Sequence, residues 1–560
     1  MKAAIFFAVA MALPCSNPAD AAITLDLSSV DHHSRAYERF KHYVDGALTH
    51  RNDLPYGFSA MDAAYMARLD GVATYCGLAV DLVQTQVDAA TSAIAAGKAP
   101  EVASDSYLNI GSMIGDLAIT YDTCASAMTP QQRTTWSAYA ERAVSNVWNH
   151  YGATWGGHLF PWTGWSTTDP GNNYYYSFVE ATMLWAFASD NGKWMTLLTS
   201  DKLPALQAYM ATLPGGGSRE GTGYGTSHMR LFQIYSWWRD STKQDLGAAN
   251  PHLTDSIAYW IHATVPTLDA FAPYGDQSRS SQPLLYDYHR RLMLEARQLT
   301  TSEQARKAAS WWLNAISIQE MTSSFNFRFD LLPAGIKGTP PDELTYRATG
   351  VGELFSRTGW DPHATWFSLI AGPYDQSHAH QEQGGFMLYR DRWLAVTENI
   401  WSHSGIQQSS EMNNVVRFSR NGKTLPQRQP NGATMTVTKA APSGEVHASA
   451  DLGKVFGSSA VRFWQRDVDF VAGTLTVHDR YAVASDVDAV FQINVPVKPV
   501  IRANHVSAGD LQIDVLSPTD ATIRIVDWKF QDNDFTSGYR VDVQGRGTEF
   551  VVRMTTAVKP

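Results

Sequence analysis

A helical first half followed by an all-β second half is the fold class this sequence predicts, with the change of pattern near residue 345. From about Asp31 to Arg347 apolar residues recur at three-to-four spacing. From about Gly350 the apolar runs are short, rich in β-formers, and punctuated by Gly, Asp, Asn or Pro. The expectation is therefore an α+β, multidomain chain: residues 1–21 an export signal, 22–345 an array of helical hairpins, and 346–560 antiparallel sheets stacked as a sandwich. A chain of 560 residues with 44% hydrophobic and 18% charged content can bury cores of that size.

The first element is the tripartite N-terminus. Lys2, the apolar run Ala3 to Leu13 and the small-residue stretch Ala19-Asp20-Ala21 follow the order of a secretory signal cleaved after Ala21. The run is too short to span a bilayer, and no later segment is long and apolar enough to do so. The expected location is periplasmic or secreted. With Cys15 in the signal, Cys76 and Cys124 remain, outside any metal-type spacing; they are either a structural disulfide or two buried thiols. A net charge of −10 argues against nucleic acid and against an anionic membrane surface as partners. It also requires local basic residues wherever a polyanion is to bind.

The helical half follows. Met61 to Val83, Pro130 to His150, Tyr174 to Ala188 and Glu303 to Ile318 each carry helical periodicity. Thr129-Pro130-Gln131-Gln132 supplies a cap hydroxyl, a first-turn proline and a glutamine that reaches back; Thr301-Ser302-Glu303-Gln304 supplies the same without the proline. Periodicity does not say whether the hairpins close into a ring. Between Trp148 and Tyr176 lies a Gly/Pro-rich loop with Trp148, Trp155, Trp162 and Trp165. It is either a cleft wall on which sugar rings stack or a long loop pinned by core aromatics. The stretch Gly215 to Gly225 places Tyr224 among six glycines at the mouth of a helix expected over Thr226 to Trp238. That tyrosine is either a solvent-facing ring or a positioned acid or base.

In the β half, expected strands include Ala364 to Ile370, Val461 to Trp464, Thr474 to Asp479, Ala489 to Val495 and Thr522 to Val526. One stretch stands apart, Ser377 to Trp393, S-H-A-H-Q-E-Q-G-G-F-M-L-Y-R-D-R-W. In an extended segment His378 and His380 would point the same way, into one site. Otherwise they are surface loop histidines before a hairpin.

Taken in order, N-N-Y-Y-Y-S-F at 172–178, E-G-T-G-Y at 220–224, Y-G-D-Q at 274–277 and the H-x-H stretch resemble the heparinase II/III-like polysaccharide lyases. The resemblance implies an (α/α) toroid followed by an antiparallel β-sandwich, in a secreted bacterial enzyme acting on an anionic polysaccharide. It implies that Asn173, with Asn172 beside it, neutralises a uronate carboxylate. It makes Tyr224 the catalytic acid and in some members the base, and His378 a base or charge stabiliser. It pairs His380 with an acidic residue, here Glu398, at a structural zinc; the chemistry itself needs no cofactor. Tyr174, Trp165, Arg219 and His228 join Asn172 as substrate-binding candidates. The chain departs from the family at Tyr174, where His is usual, at Glu398-Asn399-Ile400, where an Asp-Pro-Gly turn is usual, and at Asn413, where a third ligand, His, is expected; His403 or His447 are the available substitutes. A closed zinc site needs about four ligands, and these residues supply two candidates.

The implied reaction is β-elimination at C5 and O4 of a uronate, with D-mannuronate or D-glucuronate favoured because Tyr174 is a poor base for the opposite ring face. For Tyr224 to act as base, Arg219, Arg230 or Arg279 would have to lower its pKa. Two other classes compete. A glycoside hydrolase on the same toroid would use Glu220 and Asp276 as its carboxylate pair, and a non-catalytic glycan-binding protein would need only the aromatic clefts.

Overall fold

The computed structural model describes residues 23–277 and 279–556, so the expected export signal lies outside the described residues. The helical half begins with α1 (Arg35–Thr49), α2 (Ala60–Asp70), α3 (Ala73–Ala95), α4 (Ile110–Thr123) and α5 (Pro130–Trp148). It continues with α6 (Asn173–Ala188), α7 (Gly192–Leu197), α8 (Leu203–Met210), α9 (Gly221–Gly225) and α10 (His228–Thr242). It ends with α11 (His252–Ala263), α12 (Asp287–Leu299) and α13 (Glu303–Ala315).

These helices close into a toroid. Helix α2 packs on α4, α4 on α6, α6 on α10 and α10 on α12. Helix α12 meets the 3₁₀ segment Ser324–Leu331, which returns to α1 and so to α2. Helices α3, α5, α11 and α13 pack behind this inner ring. The local signals act as their chemistry requires. The Thr129 side chain accepts from Gln132 N and the Gln132 side chain reaches back to the Thr129 N–H, with Pro130 in the first turn. Ser302 caps α13 by accepting from Ala305 N. The single helix expected over Met61 to Val83 is instead two, because Gly71 adopts φ +68° and ends α2 with a left-handed cap. Cys76 on α3 and Cys124 just beyond α4 are disulfide-bonded, which decides between the two readings of that pair. Closing a loop of 48 residues restricts the unfolded chain by roughly 4 kcal/mol in the chain-entropy picture.

The β half starts with strand Thr345–Ala348 and holds an eight-stranded and two five-stranded antiparallel sheets. One five-stranded sheet runs in chain order from Thr345 to Ala395, and both its faces are buried. Phe355, Trp366, Met387 and Tyr389 belong to the toroid core, whereas Leu354, Phe367, Leu369, Phe386 and Leu388 belong to the sandwich core. This period-two division docks the two halves of the chain. Phe367 stacks on Phe470 of the eight-stranded sheet and Phe386 on Phe491 of the other five-stranded sheet, so one core joins all three. Buried Arg357 reaches across to the carbonyls of His262 (3.1 Å) and Thr264 (2.7 Å), placing a cation at the C-terminus of α11.

Candidate active site

The inner ring encloses a cleft of about 620 Å³. Its wall takes Met61 and Asp62 from α2, Ser112 and Asp116 from α4, Asn173 and Glu180 from α6, Arg230 and Gln233 from α10, Tyr288 and Arg291 from α12, and Arg328 from the closing 3₁₀ segment. Tyr224 stands at this wall on α9, a short helix just before α10. Its place depends on close backbone approach. A Cβ on Gly223 would meet Asp276 O at 2.3 Å, and one on Gly221 would meet Tyr274 O at 2.3 Å. Only glycine at those positions lets E-G-T-G-Y lie against Y-G-D-Q.

His378 stacks face to face on Tyr224, ring centroids 3.5 Å apart and planes 10° apart. Its stretch is a turn rather than a strand, so the two histidines converge for a different reason than i, i+2 alternation. Both bond to one carboxylate: Nδ1 of His378 lies 2.9 Å from Asp276 Oδ2, and Nε2 of His380 lies 2.7 Å from Asp276 Oδ1. Burial pushes the Asp276 carboxyl up, but the bonds from His378 and His380 outweigh it and hold the pKa below the usual value. An ionised carboxylate only accepts, so both imidazoles present N–H to it. His378 is thereby left with Nε2 as its free nitrogen, 3.9 Å from Glu220 Oε1.

Glu220 is fully buried, and burial, followed by the nearby Asp169 charge, raises its pKa well above the ordinary value. It accepts from Asn172 Nδ2 at 3.1 Å. Asn172 also caps α6, its side chain accepting from Tyr174 N. Asn173 follows as the first residue of that helix and lines the cleft; its buried Oδ1 has no hydrogen-bond partner among the described residues. The Tyr224 pKa is raised, by burial first and then by the charges of Asp276, Glu220 and Asp105.

The condition for Tyr224 to act as base, an arginine that lowers its pKa, is therefore not met. Arg219 pairs with Asp375 (3.0 Å) and donates to Gly350 O, tying toroid to sandwich rather than lining the cleft. Arg230 pairs with Glu180 at 2.9 Å, and Arg279 lies over the Tyr288 ring. Other substrate-binding expectations also move. His228 is buried edge-on to His252 and held neutral by burial, outside the cleft lining. Trp165 is 49% exposed but outside that lining, while the indole N–H groups of Trp148, Trp155 and Trp162 bond to Thr182, Tyr107 and Asn146, which pins the loop. Tyr174 donates to Asp105 (3.0 Å), and burial and that carboxylate push its pKa up to about 12.

The aromatic cleft surfaces are Tyr56, Tyr288, Phe325 and Phe329, which sequence reading missed because they come from distant segments with no local signature. The cleft also resolves the charge problem. Arg230, Arg279, Arg291 and Arg328 face Asp62, Asp116 and Glu180, and burial together with Asp62 pushes Asp116 up to about 7. Near neutrality the lining is net positive in a chain of net charge −10.

The residues expected at a metal do not gather into a ligand set among the described residues. The Nε2 of His380 is taken by Asp276, while Glu398 packs over Gly538, where a Cβ would meet its Oε1 at 1.6 Å, and burial pushes its pKa up to about 10. Asn413 donates to Gln381 O, His403 is exposed, and His447 pairs with Asp469. Among the described residues no three His, Cys, Asp or Glu side chains are grouped to hold a metal ion.

A closed helical ring, a docked β-sandwich and a Tyr–His–Asn cluster at their junction define a toroid-plus-sandwich fold. The crystal structure of heparinase III shares it, with a TM-score of 0.61 at 12% identity, covering 96% of this chain and 88% of that one. Heparan sulfate lyase HepC from Pedobacter heparinus shares it too, with a TM-score of 0.59 at 14% identity, covering 95% of this chain and 86% of that one. No family model and no curated protein sequence matches the chain.

Proposed function

We propose that this protein is a polysaccharide lyase that cleaves a uronate-containing polysaccharide by β-elimination. The observation that carries the reading is the stacked Tyr224–His378 pair: Asp276 holds His378, and Tyr224 lines a net-positive cleft together with Asn173. Asn173 binds the uronate carboxylate through its amide N–H, which quenches charge and makes the C5 proton removable. His378 Nε2 takes that proton, and the released electron pair forms the C4–C5 double bond. The C4–O4 bond breaks with its pair on oxygen, and Tyr224 donates its proton to that oxygen. The raised Tyr224 pKa suits an acid that keeps its proton until the leaving group needs it.

Acid and base lie on one side of the sugar, which favours D-mannuronate or D-glucuronate, whose C5 proton and O4 share a ring face. The disulfide suits an oxidising compartment and supports action outside the cytoplasm. A hydrolase pair of Glu220 and Asp276 is disfavoured because Glu220 is sealed from solvent and Asp276 is engaged by both histidines. The test is ultraviolet absorbance of unsaturated uronate product against polymannuronate, glucuronan, hyaluronan, chondroitin and heparan sulfate. New reducing ends without that absorbance would assign hydrolysis; binding without either would assign a glycan-binding protein.

A further inference from the structure

We infer that Asp276 does in this chain what a metal ion at His380 would otherwise do: its two carboxylate oxygens grip both histidines and position His378, so the site assembles without metal. The inference rests on the reading of His378 as the base, and it concerns how that base is held.

The donor set argues first. Of the residues expected to hold a metal, His380, Asn413 and His447 already have other partners, and Glu398 lies against Gly538. A zinc at His380 would have to displace the 2.7 Å contact with Asp276. The geometry of Asp276 argues second. It is 5% exposed, and both its oxygens are used, by His378, by His380, and by Gln408 Nε2 at 3.3 Å from each. Its backbone N–H donates to His378 O (2.9 Å), and the N–H of Gly275 donates to Glu382 Oε1 (3.0 Å). Asp276 and Gly275 belong to the helical half; His378, His380, Glu382 and Gln408 belong to the β half. A buried grip across that junction fixes a ring more firmly than one exposed contact, because neither partner can turn to water instead.

The chemistry of the carboxylate argues third. It accepts from both imidazoles at once and so sets both tautomers, leaving His378 Nε2 bare. An asparagine has one accepting oxygen, and its NH₂ group needs a bare nitrogen from the other ring. Asp276→Asn must therefore turn one histidine into the wrong tautomer while hardly changing shape. Asp276 is a positioning residue, since it touches neither the sugar nor the reacting atoms.

The experiment takes the purified full chain, with and without prior EDTA treatment and dialysis, and the variants Asp276→Asn and His380→Gln. Elemental analysis is expected to find less than stoichiometric metal, and EDTA to leave activity and melting temperature unchanged. Asp276→Asn is expected to lower kcat about 100-fold with KM within roughly threefold. With its NH₂ turned toward His378, it should also remove the hydrogen-bonded imidazole N–H proton resonance that ¹H NMR is expected to show for His378 in the wild type. His380→Gln keeps the Asp276–His378 contact and is expected to lose less. A stoichiometric metal that vanishes in His380→Gln would overturn the inference, as would Asp276→Asn with near wild-type kcat and an unchanged N–H resonance. Should Asp276→Asn not fold, the metal analysis and the His378 resonance of the wild type decide. Absence of unsaturated product from every polymer would overturn the lyase reading, while the metal content and the N–H resonance would still judge the grip.

Discussion

Tyr224 is where a single hydroxyl carries the most consequence. Burial and three surrounding carboxylates favour its protonated form, and its ring lies flat on His378. Tyr224→Phe removes the acid and leaves the stacking surface, so kcat should fall by about 10² to 10⁴ with little change in KM. Steady-state kinetics on the preferred polymer checks this, and a kcat near wild type would move the acid role elsewhere. The sign of the pKa shift also bears on pH. A tyrosine needed in its protonated form is lost only above its raised pKa, so kcat/KM should show no tyrosine-dependent decline between roughly pH 8 and 10. Asn173, Tyr224 and His378 could be picked out as candidates because each sits in a short motif. Asp276 was visible only as a carboxylate in Y-G-D-Q; its bonds to two histidines about a hundred positions later leave no local trace. Arg219, His228 and Trp165 read plausibly as cleft residues because residue type is visible in sequence and facing direction is not.

Among the described α-helices, α9 is the shortest, and its glycines are closely hemmed in. Gly223→Ala would drive a Cβ to 2.3 Å from Asp276 O, a backbone atom that cannot swing away as a side chain can. The variant should lose about 1 to 3 kcal/mol of stability and most of its kcat, because relief of the clash moves both Tyr224 and the Asp276 segment. Thermal unfolding and kinetics together check this, and a variant with unchanged melting temperature and rate would mean the contact is slack. Element boundaries were readable where a cap is local chemistry, as at Thr129 and Ser302. They were misread where one residue interrupts a continuing pattern, as at Gly71, or where a turn mimics a strand, as at His378. Closure of the helical ring was not legible from periodicity, since it depends on the 3₁₀ segment Ser324–Leu331 returning to α1 across nearly 300 positions. The order of motifs, through the resemblance, carried that part of the fold.

At the scale of the whole molecule, the junction of toroid and sandwich holds carboxyls that burial keeps neutral. Tyr259 donates to Glu353 Oε2 at 2.8 Å, and burial raises the Glu353 pKa well above the ordinary 4.5. The unfolded chain ionises this group from about pH 4.5 upward while the folded chain keeps its proton, so stability falls as pH rises through that window. Glu353→Gln removes the effect: its melting temperature should exceed the wild type's at pH 8, with the gap closing toward pH 4, and a gap that widens on acidification would refute this. On the lyase reading, the same assembly bears on which sugar the cleft would process. Tyr224 and His378 are stacked on one another, so on the lyase reading both reach the sugar from the same side. Of the residues considered for the opposite ring face, Tyr174 is tied to Asp105 with its pKa pushed up to about 12, and His228 is sealed in the core. Neither can take a C5 proton from guluronate or iduronate, whose C5 proton lies opposite O4. The cationic lining is modest, with Arg230 committed to Glu180 and Arg328 to Asp62, and so suits carboxylates better than dense sulfate. Polymannuronate should therefore be cleaved over polyguluronate, and glucuronan over heparan sulfate, with kcat/KM ratios on the order of 10², the worth of one correctly placed base. Parallel ultraviolet assays on the four polymers measure those ratios, and a preference for the guluronate or iduronate polymer would require a base on the far wall that neither Tyr174 nor His228 supplies.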